Sequence, residues 1–161
     1  MRRATCLALT LSLMTAWPLA AQNVAFGGAA NTDAPVEMVA DNLTVNQSTG
    51  EAEFTGNVII AQGEMRLSAD RAQVQYAEGD NSKIERVEAT GHVTLVSGKD
   101  AAEAASAVYE IGSGNITLSG DVLLTQGANV MSGETIVVNL GKGSARASGR
   151  VRTVLQPSAT P

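Results

Sequence analysis

Residues 54–58 read Phe-Thr-Gly-Asn-Val, and this short pattern, with a glycine at its centre, returns three times further along the chain. It recurs at 89–93 (Ala-Thr-Gly-His-Val), 118–122 (Leu-Ser-Gly-Asp-Val) and 147–151 (Ala-Ser-Gly-Arg-Val). The four anchor glycines are therefore 35, 29 and 29 residues apart. Self-similarity at such a spacing is typical of a fold built from repeated supersecondary units. The chain is predicted to contain three glycine-anchored units, with a partial unit at each end.

Apolar and polar residues alternate strictly on both sides of each anchor glycine. Around the second anchor, Ala89, Val93 and Leu95 share one face, whereas Thr90 and His92 share the other. A period of two with one polar face predicts half-buried antiparallel strands. A glycine inside a strand has no side chain. It therefore marks a place where the strand can bend or where another backbone can come close. Bends at the same place in every unit predict an all-β fold in which one antiparallel sheet folds into a trough.

Residues 101–107 are the one stretch that competes as a helix, because five of these seven residues are alanine. The stretch aligns with the alternating segments 69–76 and 133–140 of the neighbouring units. A strand is therefore expected here as well.

The first 21 residues have the features of an export signal. A positive start (Met1, Arg2, Arg3) precedes an apolar run over 4–16 and a small-residue exit at 19–21. Cleavage after Ala21 is expected. Residues 22–34 are rich in Gly, Ala and Asn without periodicity and are predicted to be a flexible lead-in, with the β domain over 35–156 and a flexible tail over 157–161. Trp17 and Phe26 are thus expected outside the folded part.

The composition that remains after the signal excludes several kinds of protein. The chain has one cysteine, Cys6, which lies in the signal, and one histidine, His92. No thiol nucleophile, disulfide framework or Cys/His zinc cluster is therefore expected, and neither an enzymatic activity nor a cofactor. Without Arg2 and Arg3 nine basic residues face 16 acidic ones, a net charge of −7. Nucleic acid is a poor partner for such a chain, because phosphate binding needs a cationic footprint.

The two ends of the predicted sheet carry charges of opposite sign. Residues 22–65 hold six acidic and no basic residues, whereas 135–161 hold four basic and no acidic ones. Opposite charges favour head-to-tail contact between copies and disfavour head-to-head pairing. Solvated surface charge without a partner is an equally good explanation at this stage.

Five segments of the chain carry a resemblance to a known family. They are 34–37 (Ala-Pro-Val-Glu), 54–58, Gln62-Gly63, 65–70 (Met-Arg-Leu-Ser-Ala-Asp) and 151–157 (Val-Arg-Thr-Val-Leu-Gln-Pro). Over about 33–157 the chain resembles the OstA-like family of periplasmic lipopolysaccharide-transport proteins. The resemblance implies an open, slightly twisted β-jellyroll in the periplasm. It also implies copies that stack end to end and bridge the inner-membrane exporter to the outer-membrane translocon, with lipopolysaccharide as cargo.

The resemblance and the alternation together suggest that the inward face shields the acyl chains of lipid A. The candidate lining residues are Phe54, Val58, Ile60, Met65, Leu67, Val93, Leu95, Leu118, Val122 and Leu124. A closed core of the same residues stays open as the alternative, because inward aliphatic side chains usually pack against one another.

The resemblance also implies that neighbouring copies, or the periplasmic subunit of the exporter, join through terminal strands. The candidate edge residues are Val36, Met38, Arg150, Val151, Arg152 and Leu155. A second functional class stays open, namely an exported structural β-repeat protein that polymerises without carrying lipid.

Overall fold

A computed structural model of the protein describes residues 24–26 and 31–156. The predicted signal peptide (1–21) and the predicted tail (157–161) lie outside the described residues. No helix long and apolar enough to cross a membrane is found in the described part of the chain.

The described residues form one sheet of eleven strands, in which every pair of neighbours is antiparallel. The strands are β1 Val24–Ala25, β2 Glu37–Val39, β3 Asn42–Asn46, β4 Glu51–Gln62, β5 Met65–Ala77, β6 Asp80–Ser97, β7 Asp100–Glu110, β8 Asn115–Gln126, β9 Asn129–Asn139, β10 Ser144–Ser148 and β11 Arg152–Val154. The predicted all-β, antiparallel class is confirmed. Residues 101–107 lie in β7 and not in a helix.

The order of strands follows the order of the chain from β4 to β10. At one end, β2 and β3 pair with the two halves of β4, and at the other end β10 and β11 pair with the two halves of β9. The short strand β1 pairs with the outer side of β10. Because the sheet does not close on itself, its two ends are distinct surfaces.

Each anchor glycine is the first of two consecutive residues in the left-handed backbone region. Gly91 has a φ of 80° and His92 a φ of 45°, and the pairs that begin at 56, 120 and 149 have similar values. Asn, Asp and His are the non-glycine residues that tolerate this region best, and three of the four second positions hold one of them. The strand pairing shifts register at each such pair inside β4, β6 and β8. We call this two-residue feature the corner.

An acidic residue of the neighbouring segment of chain lies against three of the four corners. The side chain of Asn57 donates to Asp41 (Nδ2 to Oδ2, 2.8 Å), and His92 Nδ1 lies 2.7 Å from Asp70 Oδ2. The hydrogen bond to Asp70, and secondly the charge of that carboxylate, raises the pKa of His92 above 6.5. At the third corner the second residue is itself an acid, Asp121, and the facing residue is Ala105, so that no like-charge pair forms.

The corners divide the sheet into two walls. The first wall consists of the strand halves between the corners and the turns at Gly63, Gly98 and Gly127, and the second wall consists of the other halves. On β5, Leu67 in the first wall is 1% exposed and Val74 in the second wall is 0% exposed. No other layer covers the described sheet. Inward residues can then be buried on both walls only if the walls face each other.

The position of Phe26 differs from the sequence-based expectation. It was expected outside the folded part, but it is 1% exposed and its backbone N–H donates to the carbonyl of Gly143 at 2.8 Å. Strand β1 (Val24–Ala25) adds a short edge strand to β10 and Phe26 follows it directly, and a two-residue strand is too short for alternation to reveal it. The division of the chain at residue 35 stays a prediction, although residues 24–26 and 31–34 both contact the sheet.

Replacing Gly91 by Ala should destabilise the protein more than the same change at Gly79. Both glycines have a φ near 80°, but a Cβ at Gly91 would lie 2.9 Å from Asp70 Cβ, whereas at Gly79 nothing lies within 4 Å. We expect a loss of about 1 to 2 kcal/mol for Gly79→Ala from the backbone conformation alone. Gly91→Ala should lose roughly 2 kcal/mol more, because Asp70 and its strand must move. Urea unfolding measures both, and equal losses would show that close contact at the corner is unimportant.

Candidate functional site

The predicted lining residues all point into the space between the two walls. Nine of the ten are 0 to 1% exposed, and Phe54 is half-buried against the same cluster. These side chains are therefore buried on the face that the alternation assigns to the interior. Contact with lipid stays a prediction.

The interior is filled by its own side chains in this structure. Large residues such as Leu67, Leu95 and Leu124 lie in one register across the first wall, and the small residues Ala72 and Ala89 lie in the second wall, all of them buried. Cores pack in this way when large and small side chains interdigitate. A ligand of appreciable size would need the walls to separate.

A groove lies at the free end of the second wall, outside this packed interior. It has a volume of about 520 Å³ and is lined in part by Val36, Ala77, Ile84 and Ile111, with Lys83 beside them. None of the predicted lining residues contributes to it.

Polar residues end the apolar interior at the turn side of the first wall. The inward residues before the three turns are Gln62, Ser97 and Gln126, and Asp100 joins them from β7. Gln62 is 3%, Ser97 is 1% and Asp100 is 7% exposed, and Gln126 Nε2 donates to Asp100 Oδ2 at 3.1 Å. This row was not predicted from the sequence. Its signal is a polar residue directly before Gly63, Gly98 and Gly127, in phase with the apolar face.

Gln62 connects the two walls. Its side chain belongs to β4 in the first wall, and its Oε1 accepts a hydrogen bond from the hydroxyl of Tyr109, which belongs to β7 in the second wall. Tyr109 is 1% exposed, and burial raises its pKa above the ordinary value of 10.0. The tyrosine hydroxyl therefore remains a proton donor throughout the physiological pH range.

Residues 31–34 lie in the opening between the free ends of the two walls, which we call the mouth. Gln62 Nε2 donates to the carbonyls of Thr32 and Ala34 at 2.7 and 2.9 Å. A Cβ on Gly63, at the end of the first wall, would lie 3.5 Å from Asn31 O. A Cβ on Gly114, at the end of the second wall, would lie 3.4 Å from Thr32 Cγ2.

At the N-terminal end of the sheet, the two predicted edge residues lie on the inward face. Val36 and Met38 are half-buried and pack against the core, so that their side chains face the interior. The apolar side chains exposed at this end are Val39, Leu43 and Val45, at 64%, 55% and 57%. The main chain of β2 pairs with β4 on one side. That Val36 and Met38 contact a partner stays a prediction.

The C-terminal end exposes the predicted edge residues. Val151 and Leu155 are 49% and 67% exposed, and Arg150 and Arg152 are also exposed. Strand β11 pairs with β9 on one side, whereas β10 has β1 on its outer side. The free edge at this end is therefore mainly that of β11, in the first wall.

The charge difference between the ends of the sequence becomes a difference between the ends of the sheet, because the strand order follows the chain. Glu37, Glu51 and Glu53 lie on β2 and β4 at one end. Arg146 and Arg152 lie on β10 and β11 at the other. The two ends are electrostatically complementary.

Comparison with known proteins places this fold in a family. A family model described as LptA/(LptD N-terminal domain) LPS transport protein matches residues 37–144. The lipopolysaccharide export system protein LptA of Haemophilus influenzae is 30% identical over 156 residues, which cover 91% of each chain. The LPS-assembly protein LptD of Salmonella choleraesuis is 44% identical over 63 residues, 38% of this chain and 8% of that protein.

The structural comparison agrees with the sequence comparison. The crystal structure of LptH from Pseudomonas aeruginosa matches with a TM-score of 0.71 at 18% identity, covering 80% of this chain and 99% of that one. This match confirms the predicted open antiparallel jellyroll. The match over 37–144 covers more than half of the chain, and the Haemophilus relative extends the likeness over nearly all of it. The chain thus belongs to the LptA/(LptD N-terminal domain) LPS transport protein family.

Proposed function

We propose that the protein is a periplasmic lipopolysaccharide-transport protein and not an enzyme. Its two walls shield the acyl chains of lipid A, and its copies join head to tail to bridge the inner-membrane exporter and the outer-membrane translocon. The observation that supports this best is an apolar interior enclosed by one folded sheet, with two unlike and complementary ends. The names of the relatives, and the description of LptH as a periplasmic component of a lipopolysaccharide transport device, support the cargo and the compartment.

The energetic reason for such an interior is the cost of exposing acyl chains to water. Each methylene group that is buried contributes roughly 0.8 kcal/mol. Several acyl chains that crossed an aqueous compartment unaided would therefore meet a very large barrier. Two apolar walls bury the acyl chains through non-directional contacts, and they therefore lower that barrier along the whole path.

One observation favours a second function. The interior is packed by its own side chains, which is what a structural β-repeat protein without cargo would show. Such a protein would use the complementary ends to polymerise and would carry no lipid.

A photoreactive amino acid at Leu124 should crosslink to lipopolysaccharide, whereas the same amino acid at Leu123 should not. The two leucines are adjacent in β8, but Leu124 is 1% exposed and inward, whereas Leu123 is 40% exposed on the outer face. Crosslinking in a lipopolysaccharide-producing host, read by mass shift on a gel, compares them directly. Equal yields at both positions, or none at Leu124 in a folded protein, would favour the structural polymer.

Replacing both Arg150 and Arg152 by Glu should weaken association between copies roughly tenfold at low salt, because the free edge at β11 would then carry two acidic residues in place of two basic ones and would no longer attract the acidic end of the next copy. Arg66→Glu with Lys99→Glu is the matched control, since it makes the same change of charge at exposed positions in the middle of the sheet. Light scattering over a concentration series measures the size of the oligomers. If both double variants weaken association equally, the weaker association results from the change in net charge and not from the edge.

A further inference from the structure

The amide of Gln62 is the point where three parts of the chain meet. Both of its donor bonds go to carbonyls of residues 31–34, and its oxygen accepts from Tyr109 in the opposite wall. The side chain is 3% exposed, so each lost bond would leave a buried polar group without its partner. One side chain thus holds the two walls and the N-terminal segment together.

Residues 31–34 are built differently from the walls that they separate. They contain no strand, and they fold into a local turn in which the N–H of Asp33 donates to Asn31 Oδ1 at 3.1 Å. Asn31 and Asp33 are exposed, and Thr32 and Ala34 are only half-buried. A segment with little buried apolar surface opens at a lower free energy than the strands around it.

The position of this segment decides how the interior can be reached from the side. It contacts Gly63 at the end of the first wall and Gly114 at the end of the second, so it occupies the mouth between them. The opposite side of the fold is closed by the continuous main chain of the corners. The mouth is the side on which the walls can part without breaking a strand.

We propose that residues 31–34 are a removable clasp over the mouth, latched by Gln62 and Tyr109, and that an acyl chain enters the interior through the opening that the clasp vacates. This inference rests on the proposed function for the identity of the cargo. The clasp itself is a property of the fold and can be tested with an apolar dye.

A disulfide between Ala34→Cys and Gly63→Cys should lock the clasp. Ala34 Cβ lies 3.9 Å from the position of a Cβ on Gly63, which is within the Cβ separation of natural disulfides. Cys6, the one cysteine of the chain, is replaced by Ser so that no third thiol competes. Uptake of the apolar dye phenylnaphthylamine, followed by fluorescence, should fall at least roughly tenfold on oxidation and recover with reductant. Equal uptake in the two states, with the disulfide confirmed by mass spectrometry, would overturn the clasp, and so would failure of the thiols to pair.

Loosening the latch should have the opposite effect. Tyr109→Phe removes only the hydroxyl and should raise the rate of dye uptake roughly fivefold, because the closed state loses one buried hydrogen bond. Tyr76→Phe is the matched control, since Tyr76 is the equivalent tyrosine of the first unit and is half-buried. Faster uptake with Tyr109→Phe alone supports the latch. The same uptake in both variants contradicts it.

The clasp and the identity of the cargo are tested separately. If the disulfide blocks the dye but Leu124 does not crosslink to lipopolysaccharide, the clasp stands and the cargo is wrong. If lipopolysaccharide crosslinks equally with the clasp locked or free, the cargo stands and entry does not require residues 31–34 to leave.

Discussion

The structure depends on a backbone constraint, the pair of left-handed residues at each corner. Only glycine adopts a φ near 80° without strain, and the second residue of the pair is drawn mostly from the types that tolerate a φ near 45°. The pair turns each long strand without ending it, so hydrogen bonding continues on both sides. Because the pairs recur at matching positions, the bends line up across the sheet. One sheet thereby forms two facing walls and needs no second layer to bury its apolar face.

The same constraint explains the surface of the corners. A Cβ at an anchor glycine would collide with the facing residue of the neighbouring segment, so the glycine also permits close approach. The facing residue is Asp41, Asp70 or Glu134 at three corners, beside Asn57, His92 or Arg150. Where the second residue is Asp121, the facing residue is Ala105. An acidic residue thus faces a corner only where the second residue of the pair is not acidic, and like charges do not meet across a corner.

A good part of this architecture is readable from the sequence, because it is periodic. The spacing of the anchor glycines and the alternation around them predict the strands, the bends and the inward position of residues such as Leu67 and Leu118. What escaped prediction is mostly not periodic, or depends on partners that are distant in sequence. Phe26 directly follows a two-residue strand that is too short to alternate, and the left-handed conformation of His92 is visible only once the corner is known. Gln62 belongs to a row that repeats before the turn glycines, but its partners, Thr32 and Tyr109, are distant in sequence and no pattern indicates them.

The proposed function requires an interior that is packed when empty and opens for its cargo. Spin labels at Glu64 and Ser113, exposed residues at the free ends of the first and second walls, report the width of the mouth directly. Pulsed electron resonance on the labelled protein, with and without lipopolysaccharide, measures the distribution of distances between them. A shift to distances longer by several ångströms on binding is the predicted result. An unchanged distribution in protein that has demonstrably bound lipopolysaccharide would contradict the account, because the acyl chains would then lie outside the walls.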